Sequence, residues 1–168
     1  NTYMLHKRGW FGINIDLEKD KIKTFNIIRP NDFNYLGAIS DKIESVKIYR
    51  NQKFGVSSTI NKDIIKKEDI LDEIQIKTNT LNNVLELSPF KNKEIDLLNI
   101  DTEGNDFKVL KSLNFETYNP KIVIIETNLK DINEIILSEQ YKYLIDKKYR
   151  LVSWNIYSLI FIKKNFKF

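Results

Sequence analysis

The chain has 168 residues, with 27 Lys+Arg against 23 Asp+Glu for a formal net charge of +4, and no cysteine. That length reads as a single domain, 1–168, and 42% apolar with 12% aromatic residues is enough to bury a core, which argues against intrinsic disorder. Without cysteine a disulfide framework, a thiolate zinc site and a cysteine nucleophile are excluded, and a reducing, cytoplasmic location is the expectation.

The first residues read as the end of a helix, because basic His6, Lys7 and Arg8 lead into Gly9. Trp10 to Asp16 (WFGINID) is expected to be a strand feeding a helix over Leu17 to Arg29, where Ile22, Phe25 and Ile28 fall on helical spacing. Pro30-Asn31-Asp32 breaks that helix, and Phe33 to Ser40 gives the next strand. Short strands are expected over Glu44 to Arg50, Phe54 to Ile60 and Glu73 to Thr78, and Thr80 is placed to cap a helix over Leu81 to Leu87.

A strand over Glu94 to Asp101 then ends in the acidic turn Asp101-Thr102-Glu103-Gly104, which opens a helix from Phe107. Pro120 introduces the buried strand Lys121 to Thr127, and Ile132, Ile135, Ile136, Leu144 and Ile145 line one face of a helix. Two strands, Arg150 to Asn155 and Tyr157 to Lys163, close the chain. Alternating strands and helices with a final hairpin predict an α/β fold, a Rossmann-like doubly wound and mostly parallel sheet with a C-terminal antiparallel hairpin.

In such sheets ligands bind beyond the carboxyl ends of the strands, which directs attention to Asp16, Asp101, Glu103 and Glu126. An acidic residue after a second strand commonly accepts from ribose hydroxyls, yet a carboxylate before a helix also offsets the helix dipole with no ligand at all. Both readings stay open here. The five glycines form neither G-x-G-x-x-G nor G-x-x-x-x-G-K-[ST], so the glycine-rich phosphate loops are absent. His6 is the one histidine, which disfavours a Ser-His-Asp hydrolase and histidine-ligated metal, and no spacing supports a carboxylate metal site. Asn, Ile and Lys supply 19, 26 and 23 residues, a bias that accounts for much of the basic excess. Basic residues are interleaved with acidic ones, so no nucleic-acid partner is expected, and no apolar run is long enough for a membrane span.

The stretch from Ile95 to Leu110 with its D-x-E-G turn, followed by Pro120-Lys121-Ile122-Val123-Ile124-Ile125-Glu126, resembles the FkbM family of S-adenosylmethionine-dependent methyltransferases. Upstream, Asn1-Thr2-Tyr3 and Arg8-Gly9-Trp10-Phe11-Gly12-Ile13-Asn14-Ile15-Asp16 look like that family's S-N-T helix, G-W-x-G-I turn and acidic strand end. The resemblance implies a class I methyltransferase sheet whose first, central strand and cofactor loop are expected to precede Asn1, which would make the domain N-terminally incomplete. It also implies S-adenosylmethionine as cofactor and O-methylation of a hydroxyl on a sugar, glycan or small natural product. Asp16, Leu17, Gly37, Ala38 and Asp101 would then bind the cofactor. Glu103 with Asp101 would face the acceptor, Glu103 as base or orienter, and Ser58 and Glu126 would contact it. A nucleic-acid amino-methyltransferase would show Pro-Pro and an aromatic in place of Thr102-Glu103-Gly104, and a cytosine-carbon enzyme needs a cysteine. The alternative from another class is a non-catalytic methyltransferase-like fragment acting as a binding or interaction module. The oligomeric state is not encoded in any of these patterns.

Overall fold

The computed structural model describes residues 2–51, 58–62, 66 and 69–166. Elements follow in the order α1 (Tyr3–Lys7), β1 (Ile13–Asp16), α2 (Lys19–Ile28), β2 (Phe33–Leu36), β3 (Ala38–Ile39), β4 (Ser45–Asn51), β5 (Ser58–Thr59) and β6 (Ile70–Asn79). After these come α3 (Leu81–Leu87), β7 (Leu97–Ile100), α4 (Asp106–Lys111), β8 (Ile122–Glu126), α5 (Ile132–Leu137), α6 (Glu139–Asp146), β9 (Tyr149–Asn155) and β10 (Ser158–Lys163). Most of the expected Phe54 to Ile60 strand lies outside the described residues.

The fold is mixed α/β, with the strands paired in three ladders among the described residues: parallel β1-β2, the order β7-β8-β10-β9, and the order β3-β6-β4-β5. The β7-β8 and β3-β6 pairs are parallel, whereas β10 runs antiparallel to β8 and β9, as the expected closing hairpin requires, and β4 runs antiparallel to β5 and β6, so the pairing among the described residues is mixed and not mostly parallel as expected. Alternation sets the faces. Ile100, Ile125 and Leu159 align across neighbouring strands, as do Leu98, Val123 and Phe161, and this face joins α3, α4, α5 and α6 in one core. Val84, Leu110, Ile135 and Leu144 are the fully buried contributions of those four helices. Burying one such side chain contributes roughly 1.5–3 kcal/mol.

On β1 and β2 the same alternation separates apolar from polar. Ile13, Ile15, Phe33 and Tyr35 pack against the core, while Asn14 Nδ2 donates to Asn34 Oδ1 at 2.8 Å and to Asp32 Oδ2 at 2.9 Å. Buried Arg29 completes that network, donating to Asn14 Oδ1 at 3.1 Å and to Thr2 Oγ1 at 2.9 Å, and so fastens the chain just before α1 to this ladder.

Two expected elements divide. The single strand over Phe33 to Ser40 splits at Gly37 into β2, which pairs with β1, and β3, which pairs with β6. A Cβ at Gly37 would stand 2.6 Å from the Tyr35 ring, so any larger residue at this crossing would have to displace that ring. The long helix from Ile132 to Ile145 breaks at Ser138, whose extended backbone (ψ 152°) ends α5 and whose Oγ accepts from Tyr141 N at 3.3 Å to cap α6. Thr80 caps α3 as expected, accepting from Asn83 N at 3.2 Å.

Candidate active site

Parallel strands β1, β7 and β8 each end in or just before a carboxylate. At the end of β1, Asp16 Oδ1 accepts from Glu18 N at 2.8 Å and Oδ2 lies 3.3 Å from Lys21 Nζ. These contacts tie Asp16 to the start of α2, whose N-cap residue, Glu18, has no side-chain cap hydrogen bond. They leave acceptor capacity, since each carboxylate oxygen can take two hydrogen bonds.

A cleft of about 340 Å³ opens beside this junction. Leu17, Leu36 and Gly37 form one wall, Ile48, Ile74 and Ile76 of β4 and β6 form the other, and Glu18, Lys19, Arg50, Ser58 and Lys77 complete the lining. Leu36 is 47% exposed, a large apolar surface turned to solvent at a strand end. Leu17, Gly37 and Ser58 are thus brought together as expected of neighbours in one site, but Ala38 is not: it is 2% exposed and paired with Thr78 in the β3-β6 ladder. Ser58 Oγ donates to Glu18 Oε1, and Arg50 Nε approaches the same oxygen at 3.9 Å. A further hollow of about 320 Å³, bounded by Asp20, Lys21, Thr24 and Phe25, is an open face of α2.

The ends of β7 and β8 gather Asp101, Glu103, Asp106 and Glu126. Asp106 organises the turn by accepting from Thr102 N at 2.8 Å, Thr102 Oγ1 at 3.0 Å and Gly104 N at 3.0 Å. Glu103 (φ 52°) and Gly104 (φ 90°) are consecutive left-handed residues, and the non-glycine one costs on the order of 1–2 kcal/mol that these contacts offset. Asn105 Nδ2 donates to the Ile39 carbonyl at 2.8 Å, and Thr59 Oγ1 donates to the Glu103 carbonyl at 2.6 Å. The turn is therefore moored to β3 and to β5 at once.

Electrostatics separate the members of the cluster. The Glu103 side chain is exposed, and partial burial with the nearby charges of Asp101 and Asp106 raises its carboxyl above the usual range, while Lys21 opposes the shift. Burial first, and then the charges of Asp106, Asp101 and Glu103, push Glu126 up to about 7. A hydrogen bond from the Glu103 backbone N–H works the other way. Glu126 Oε2 is buried and has no hydrogen-bond partner. Burial raises Asp106 as well, against the hydrogen bonds from Thr102 and Gly104. Among the described residues no group of three or more His, Asp or Glu side chains could hold a metal ion, and no helix is long and apolar enough to cross a membrane.

Sequence reasoning missed Glu18 and Asp106. Asp106 carried a signal, since an acidic residue just after Gly104 at a helix start is a natural acceptor for the preceding amides. Glu18 and Thr59 act through partners 40 and 44 residues away, which local pattern does not reveal.

Comparison with known proteins bears on this arrangement. The Methyltransferase FkbM domain model matches residues 1–149, from the first helix to the first residue of β9. No curated protein and no solved structure matches the chain. With the family model covering all but the closing hairpin, the chain belongs to the methyltransferase FkbM domain family.

Proposed function

We infer that the protein is an S-adenosylmethionine-dependent O-methyltransferase acting on a hydroxyl of a sugar, glycan or small natural product, with the strands ordered as in a Rossmann-like sheet. Family membership supports methyl transfer as the reaction class. The observation that supports the rest is the position of Lys21, 3.3 Å from Asp16 and near enough to Glu103 for its charge to oppose the upward shift of that carboxyl. That nearness supports reading the β1 end and the acidic turn as two sides of one site.

The residues fit the cofactor chemically. Leu17, Leu36, Ile48, Ile74 and Ile76 give an apolar slot for a flat heteroaromatic base, and Asp16, next to Leu17 in the chain, is the acceptor for ribose hydroxyls. When bound, the cofactor supplies a methyl already activated on a sulfonium. The chain's own contribution is alignment and management of one proton. Exposed Glu103 accepts the hydrogen bond of the acceptor hydroxyl and takes its proton on a carboxylate oxygen. Its raised proton affinity suits that task, and Glu126 behind it, titrating near neutrality, tunes the local charge. Asp101 adds negative charge on the same side.

Titrating the isotope-labelled chain with S-adenosylmethionine tests the reading. Amide shifts of Asp16, Leu17, Leu36 and Gly37 should move together and saturate, with Thr102 to Gly104 following to a smaller extent. Unmoved spectra at millimolar cofactor would instead favour the non-catalytic interaction module.

A further inference from the structure

Strand β5 is only two residues long, yet it touches both halves of the site. Its side chains point to opposite sides, as in any strand. Ser58 reaches Glu18, at the junction that borders the cleft, and Thr59 reaches the Glu103 carbonyl in the acidic turn.

We propose that Thr59 is a positioning residue for the reaction, its hydroxyl fixing the acidic turn in the conformation that presents Glu103 to the acceptor, and that β5 thereby ties the cleft wall to the turn. The inference rests on the role given to Glu103 above.

Three observations support it. Thr59 is 3% exposed, so its hydroxyl is committed to protein partners. Asn61 N donates to Thr59 Oγ1 at 3.0 Å, which fills an acceptor position and leaves the hydroxyl's single proton for the Glu103 carbonyl. Glu103 itself sits at φ 52°, and Asp106 accepts from the Thr102 and Gly104 amides on either side of it, so the Glu103–Gly104 peptide is held at its N–H by Asp106 and at its carbonyl by Thr59. With that carbonyl held, the exposed side chain is the part of Glu103 left to meet a ligand. Ser58, in this arrangement, serves as the opposite jaw of the same clamp and not as an acceptor contact.

The test uses the whole chain with Thr59→Val, which keeps the volume and deletes the hydroxyl, and Thr59→Ser, which restores it. Hydrogen exchange should accelerate by about 10-fold or more at the Glu103 and Gly104 amides of the valine variant, the effect expected for losing one buried hydrogen bond, with the core amides of Val123 and Ile125 unchanged. Thr59→Ser should restore slow exchange. Unchanged exchange at Glu103 and Gly104, equal acceleration at the core amides, or no rescue by serine would each overturn the proposal. Calorimetry with S-adenosylhomocysteine on the same three proteins should give equal affinities. Heat lost only in the valine variant would move Thr59 to the cofactor side and overturn the assignment. No heat even with the unsubstituted chain would sink the cofactor reading, while the exchange data still decide whether Thr59 holds the turn.

Discussion

The end of β1 and the ends of β7 and β8 are built from the same residue types but hold their carboxylates in different environments. Asp16 has a backbone N–H on one carboxylate oxygen and a lysine ammonium beside the other, with room to accept more. Glu126 has an oxygen buried without any partner, and burial among three other carboxylates pushes it up to about 7. Environment, not composition, divides them: one end is suited to accepting hydrogen bonds from a ligand's hydroxyls, the other to holding and passing a proton.

The largest effect should come from the proton-handling end. Glu103→Gln should lower turnover of a hydroxyl acceptor by ~10² to 10⁴, the contribution typical of a positioned general base, in a methyl-transfer assay. Retained turnover would return both ends to the same structural role. Next, Asp106→Ala removes the acceptor for three hydrogen bonds and should cost about 3 kcal/mol in urea unfolding, with Asp106→Asn costing less because one oxygen remains. A loss below about 1 kcal/mol would show that the turn holds itself without Asp106.

A smaller, pH-dependent effect distinguishes Glu126. Its carboxyl is raised from an ordinary 4.5 to about 7, so the folded chain binds this proton more tightly than the unfolded one. The resulting stability is fully present below about pH 4.5 and is lost as pH rises through 7. Because the group is only partly buried, the full linkage is reduced by solvent screening to about 1–2 kcal/mol. Glu126→Gln should match the parent chain near about pH 4 and exceed it in stability by roughly that amount near about pH 8, as read by denaturant titration at both values. Equal curves at both pH values would contradict the raised carboxyl.

Much of this contrast is legible in the sequence, for a physical reason. Apolar runs such as Ile122 to Ile125 declare buried strands, and the carboxylate after each run marks where the chain leaves the sheet. What pattern does not encode is partner choice. Phe33 to Leu36 and Ala38–Ile39 are equally extended, so only tertiary pairing sends one to β1 and the other to β6. Ala38, expected at the cofactor, is buried by that choice. The break at Ser138 was masked by isoleucine spacing that runs across it, although serine followed by Glu139 is a helix-start signal. The bond from Thr59 is likewise set by a carbonyl on a turn 44 residues away, which no local pattern encodes.

The division of labour between the two ends is tested most directly by calorimetric titration of S-adenosylhomocysteine into the unsubstituted chain, Asp16→Ala and Glu103→Gln. The account predicts saturable binding to the unsubstituted chain, a loss of about 1.5 to 3 kcal/mol in Asp16→Ala, the range for hydrogen bonds to a charged group, and nearly unchanged affinity in Glu103→Gln. Equal affinity of Asp16→Ala and the unsubstituted chain, or a loss of binding that follows Glu103 instead, would contradict it.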